Sequence, residues 1–221
     1  MQFPDIVICK ATDLLARVQA IEASGKPVAG VISIEHPGAE TPERGRAPRL
    51  AETLDAQWQQ KQLILTMWDV EQPHPQGPNE QHMRAAFKHF DAQLSVGSDD
   101  VFIVQCRKGK ARSTGIALAL LRRRAGAGTE AAALVRLLQI APEAAPNLLV
   151  VQHADAVIGC DGKLATVVAE HPDITARRLR AEASRAAQIA CGGFEDVEKL
   201  PQPTLGERGK PQSLTPKKPS I

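Results

Sequence analysis

The chain has no tyrosine and only 3% aromatic residues, which removes the stacked-ring platforms that single-stranded nucleic acids bind. It also lacks a charge excess of either sign: 27 Lys and Arg stand against 25 Asp and Glu. That balance does not by itself mark a nucleic-acid binder, so any strong positive field has to be local. Cysteine is scarce and scattered. Cys9, Cys106, Cys160 and Cys191 form no C-x-x-C pair and no ligand-like spacing with histidine, which argues against a structural zinc site and a disulfide framework. His74, His82 and His89 share neither i,i+3 nor i,i+4 spacing, so no metal site is expected there. The opening residues, MQFPDIVICKATDLL, have no basic start, apolar core and small-residue cleavage site of a secretory signal. No run reaches the ~20 apolar residues that span a bilayer. The expectation is a cytoplasmic protein with free thiols, no membrane span, no cofactor and no bound metal.

The 221 residues, 43% apolar, are enough for one sizeable core. Asp5 to Cys9 (DIVIC), Val28 to Ile34 (VAGVISI), Leu63 to Met67 (LILTM) and Val101 to Gln105 (VFIVQ) read as short buried strands. Helical patterns alternate with them. Thr12 to Ser24 places Leu14, Leu15, Val18 and Ile21 on one face, with Thr12 or Asp13 as cap. A second begins at Asn79 or Pro78 and carries Met83, Ala86, Phe87 and Phe90. Others follow at Ser113 to Ala125, Thr129 to Ile140, Asn147 to Gly159 and Asp173 to Ala190. The alternation predicts an α/β single domain with a mostly parallel four- to five-stranded sheet flanked by helices. It should occupy residues 1–191, with a core at about 5–165 and a C-terminal helix at about 173–190. Residues 192–221 are rich in Pro and Lys and read as a flexible tail, disordered or loosely packed.

One stretch does not serve stability. After the apolar strand VFIVQ comes CRKGKARST, in which Cys106 is followed by Arg107, Lys108, Lys110 and Arg112 within six residues. Like charges at that density repel, so the segment is read as built around an anion. It lies between a strand and a helix start, where unpaired backbone N–H groups and the helix dipole favour negative charge. Gly109 lets the chain turn sharply, so that further amides of the loop from Arg107 to Ala111 converge into a nest. Arg112 can hold two phosphate oxygens with its planar fork. Cys106 at the strand end faces the same concavity, where a positive field favours the nucleophilic thiolate.

The pattern C-x5-R-[ST] resembles the signature of the protein tyrosine phosphatase and dual-specificity phosphatase superfamily, matched here by Cys106, Gly109, Arg112 and Ser113. With glycine required in the middle and Ser or Thr after the arginine, about 0.002 chance matches are expected in a chain of this composition. The resemblance covers roughly Ile6 to Ala165. The segment PNLLVVQHADAVIGCDGKL is also similar to the region after the signature in small predicted bacterial tyrosine phosphatases. What the resemblance implies is a cysteinyl-phosphate mechanism without cofactor or metal. Cys106 would be the nucleophile, Arg112 the transition-state clamp, Asp69 the general acid on a separate loop, and Ser113 the hydroxyl that helps expel the thiolate. Arg107, Lys108, Gly109, Lys110 and Ala111 would complete the phosphate-binding loop. Glu71 is the rival acid, and Thr114 the rival hydroxyl. The family has His before the nucleophile where this chain has Gln105, a substitution that bears on thiolate activation, although an amide can still donate a hydrogen bond.

Partners implied are a phosphorylated protein or another phosphomonoester, with no nucleic acid. Lys108 and Lys110 are also similar to the lysine-rich loops of tensin-like lipid phosphatases, which makes a phosphoinositide or inositol phosphate the alternative to phosphotyrosine or dual-specificity substrates. Gln105 keeps open a catalytically weak phospho-ligand binder. Arg122, Arg123 and Arg124 read as complements to a helix dipole. The basic run ITARRLRAEASRAAQIA reads as a solvated helix face. Cys9, Cys160 and Cys191 read as structural or incidental.

Overall fold

The structure, a computed structural model, describes residues 3–95 and 99–190, with side chains as far as residue 183; the expected tail and Cys191 lie outside the described residues. The chain divides into two units, Met1–Ala181 and Glu182–Ile221, and the sheet and the site lie in the first.

Four strands, β1 (Asp5–Lys10), β2 (Val28–Glu35), β3 (Gln62–Thr66) and β4 (Val101–Cys106), form one sheet in the order β1-β4-β2-β3. Every pairing is parallel. A parallel sheet is covered on both faces, and its inner strands read as continuous apolar runs. All six residues of β4 are accordingly buried. Side chains alternate across the sheet. Ile6, Ile32, Ile34, Phe102 and Val104 pack toward α4 (Glu80–Gln93), α5 (Arg112–Ala125), α6 (Glu130–Ile140), α7 (Leu148–Ile158) and α8 (Lys163–Ala169). Val7, Val31, Val101 and Ile103 pack the opposite way, against α1 (Leu14–Ala23), α2 (Leu50–Thr53) and α3 (Trp58–Lys61). Because all four strands run in one direction, their carboxyl ends share one edge, and the loops leaving Lys10, Glu35, Thr66 and Cys106 meet there. That edge is where ligands bind in open α/β sheets.

Several local expectations are corrected. A short 3-10 turn (Ala11–Asp13) precedes α1, and Asp13 makes no capping bond; it accepts from Thr12 Oγ1 at 2.9 Å instead. Two helices of four residues and one of seven, α2, α3 and α8, are too short to show a helical period. The start of α8 is held from a distance: buried Asp155 accepts from the N–H groups of Gly162 (2.7 Å), Leu164 (2.7 Å) and Ala165 (3.0 Å). The arginines ending α5 do more than complement its dipole. Arg122 Nε donates to Glu130 at 3.0 Å with both side chains buried, Arg123 Nε to Asp91 at 3.1 Å, and Arg124 Nη2 to the Leu94 carbonyl at 2.6 Å. They fasten α5 to α6 and α4. On α9 (Pro172–Ala190) the solvated-face reading fails at two positions, because Arg177 and Arg178 are both partnered by the domain.

Candidate active site

The site begins where β4 ends. Cys106, 2% exposed, places Sγ 3.1 Å from the Ser113 hydroxyl. Thr114 does not compete for that contact, since its hydroxyl donates back to the carbonyls of Lys110 (2.6 Å) and Ala111 (2.9 Å). Between strand and helix the loop turns at Gly109, with φ at +66°, and a Cβ there would sit 2.9 Å from the Cys9 carbonyl carbon. Both the left-handed conformation and the packing against the end of β1 therefore require glycine. The following N-cap, Ala111, offers no side-chain acceptor, and the first-turn amides of α5 have no intrahelical partner by helix geometry. They form a standing electropositive end at the mouth of the loop.

Arg112 opens α5 and is 1% exposed. Its Nη1 donates to the Met67 carbonyl at 2.6 Å and, at 3.4 Å, to that of Glu35. These carbonyls at the ends of β3 and β2 fix one edge of the guanidinium. Its Nε, buried and without a hydrogen-bond partner, stands 3.9 Å from Asp69 Oδ2. The structure thus brings Asp69, Arg112, Cys106 and Ser113 to one edge of the sheet. Of the other loop side chains, Arg107 Nε donates to the Glu43 carbonyl at 2.7 Å, tying the signature loop to the 36–49 loop. Lys108 is exposed, and Lys110, also exposed, stands 3.9 Å from Glu143.

Asp69 is oriented by a residue the sequence reading passed over. Asn147 Nδ2 donates to Asp69 Oδ1 (2.9 Å) and to the Val70 carbonyl (3.0 Å), while its Oδ1 caps α7 at the Val150 amide (3.0 Å). Its own backbone N–H reaches the Ala111 carbonyl at 3.2 Å, and that of Ala145 reaches Lys110 at 2.9 Å. An asparagine ahead of a helix signals a cap; nothing local signals the second amide bond to an acid 78 residues away. Glu71, the rival acid, is taken up by Arg178 Nε at 3.0 Å.

Gln105 occupies the position before the nucleophile. It is fully buried, and among the described residues neither its Nε2 nor its Oε1 has a hydrogen-bond partner. Its strand neighbours are Cys9 and Ser33, on the face that packs against α1. An unsatisfied buried polar group costs about 1–3 kcal/mol, so Gln105→Leu is expected to raise unfolding free energy by about that amount in urea titrations. A loss of stability would overturn that reading.

His36 follows β2 directly and tilts against Trp68, with ring centroids 5.2 Å apart. Burial, then the charge of Arg112, pushes its pKa down to about 3, against the opposing pull of Asp69. The unfolded chain takes up this proton near 6.5 and the folded chain near 3, so the stability His36 contributes is complete above 6.5 and is lost as pH falls toward 3. His36→Gln should therefore flatten the decline of the urea midpoint over that window. A parallel decline in both proteins would remove His36 as its source.

Among comparisons with known proteins, no family model matches the chain and no curated protein does. Solved structures do. Human DUSP28 is similar at TM-score 0.48 and 15% identity, over 71% of this chain and 92% of that one. PTPMT1 is similar at 0.46 and 15%, over 80% and 95%. PTPMT1 in complex with PI(5)P is similar at 0.47 and 14%, over 78% and 94%. A mouse putative dual specificity phosphatase complexed with zinc tungstate is similar at 0.44 and 15%, over 67% and 79%. At such identity, function has to come from the geometry of the site.

Proposed function

We propose that this chain hydrolyses phosphate monoesters through a cysteinyl-phosphate intermediate. The observation that supports it is the meeting, at the carboxyl edge of the sheet, of a thiol touching Ser113 with a buried arginine beside Asp69. Cys106 Sγ attacks phosphorus, the S–P bond forms as the P–O bond to the leaving group breaks, and Asp69 gives its proton to the departing oxygen. The loop amides and Arg112 bear the charge on the equatorial oxygens. Water then attacks the cysteinyl phosphate with Asp69 accepting its proton. The S–P bond breaks, and the Ser113 hydroxyl hydrogen-bonds to the departing sulfur.

The test is hydrolysis of 4-nitrophenyl phosphate by the full chain, with acid quench and mass spectrometry for a phosphoryl group on Cys106. A chain that binds inorganic phosphate yet neither turns over nor labels would be a binder of phosphorylated ligands. Protein phosphoester substrates are the first class to assay. The two exposed lysines of the signature loop, Lys108 and Lys110, support phosphoinositides or inositol phosphates as the second, and kcat/KM across phosphopeptides and inositol phosphates ranks the two.

General-acid catalysis contributes typically 10²–10⁴-fold, so Asp69→Ala is expected to slow phenyl phosphate by about 100-fold or more. The loss on 4-nitrophenyl phosphate, whose leaving group needs no proton, should be about 10-fold or less. Equal losses on both esters would move the acid elsewhere.

A further inference from the structure

Glu71 lies two residues beyond Asp69, and the group that holds it comes from the far end of the domain. Arg178 Nε donates to Glu71 Oε1 at 3.0 Å and Nη2 donates to Oε2, a fork-to-fork pair 107 residues apart in sequence. Both side chains are largely buried, 17% and 22% exposed, so solvent screens the pair far less than it would a surface bridge. The neighbouring Arg177 Nη1 donates to the Ala144 carbonyl at 3.1 Å. The turn that Arg177 grips is the one that reaches the signature loop through Ala145 and Asn147, and Asp69 through the Asn147 amide. The start of α7 adds a weak contact, the Leu148 N–H standing 3.5 Å from Glu71 Oε1. Two consecutive arginines of α9 thus fasten both walls of the site, one on the acid loop and one on the segment braced against the signature loop.

We infer that Glu71 and Arg178 form a latch that sets the position of Asp69, which makes the first turns of α9 part of the catalytic apparatus. The inference rests on the phosphatase reading. Neither residue touches substrate; both are positioning residues. Their effect should therefore follow the proton that Asp69 delivers and leave the attack by Cys106 alone. Proton delivery is sensitive to displacement, since a misplacement of about 1 Å can cost as much as 100-fold. A lesser effect is expected here because Asn147 still holds the carboxylate.

The test uses the full chain and two esters, phenyl phosphate with a poor leaving group and 4-nitrophenyl phosphate with a good one. Arg178→Ala is expected to lower kcat on phenyl phosphate by about 10-fold and on 4-nitrophenyl phosphate by about 2-fold or less, with KM unchanged for both. Glu71→Gln, which keeps the shape and removes the charge, should give the same split, and the double variant should be no worse than either single one. Arg178→Lys should recover part of the loss. Equal losses on the two esters, or none, overturn the latch. If Arg178→Ala does not fold, Glu71→Gln carries the comparison by itself. A wild-type chain that cleaves neither ester overturns the phosphatase reading and the latch with it. A wild-type chain that cleaves both, with an unchanged ratio in the variants, overturns the latch alone.

Discussion

Cys106→Ser is expected to abolish hydrolysis of 4-nitrophenyl phosphate, with kcat down by about 10⁴-fold or more, while inorganic phosphate still binds. The two halves of that expectation have separate causes. Turnover needs a sulfur that attacks phosphorus and then leaves it; a hydroxyl among the same amides is a far weaker nucleophile and a worse leaving group. Binding needs the electropositive start of α5, the turn at Gly109 and the guanidinium of Arg112, and the substitution leaves all three in place. Serine is also smaller than cysteine, so the fold is not crowded, and the position is buried at the end of a strand. Calorimetric titration with phosphate and a turnover assay on the same preparation measure both halves. Turnover that persists in Cys106→Ser would end the covalent mechanism, whatever the binding shows.

How much of this was legible in the sequence depends on how local each determinant is. The fourth strand, the turn at Gly109 and the helix after it are encoded in consecutive residues, VFIVQCRKGKARST, and were readable as a unit. Asp69 was readable by position, just past a strand and before a Pro-rich loop. The α/β architecture followed from strand runs alternating with helical periods, and the sheet has four strands among the described residues. What escaped is the bracing. Asn147 reaches Asp69 across 78 residues and Arg178 reaches Glu71 across 107. Such pairs are decided by how helices stack on a sheet, and no window of sequence contains both partners. The same limit explains α9: a run of arginines carries one charge pattern whether its members face water or a carboxylate. Gln105 is the opposite case. Its residue type was plain, but that its amide would lie buried between Cys9 and Ser33 without a partner depended on which face of β4 it takes.

Arg112→Lys retains the charge and is nevertheless expected to lower kcat/KM by about 10²–10³-fold, the usual loss when a preorganised transition-state donor is removed. The reason lies in how the guanidinium is divided. One nitrogen, Nη1, is committed to the carbonyls of Met67 and Glu35, which fixes the plane of the fork between the ends of β3 and β2. The remaining donors are thereby aimed without further cost in side-chain freedom. A lysine ammonium at the same place is a single point. If it satisfies the Met67 carbonyl it no longer reaches the phosphoryl oxygens, and if it turns to those oxygens it leaves a carbonyl without its donor. Neither arrangement presents two parallel N–H groups to a phosphoryl group whose charge is spreading over three oxygens. Because Arg112 is 1% exposed, water does not make up the difference. The loss should fall on kcat more than on KM, since the charge that attracts the ground-state dianion survives. Thermal unfolding of the same variant separates this from a general loss of fold. Activity within about 3-fold of wild type would mean that point charge suffices and that the fork is not the clamp.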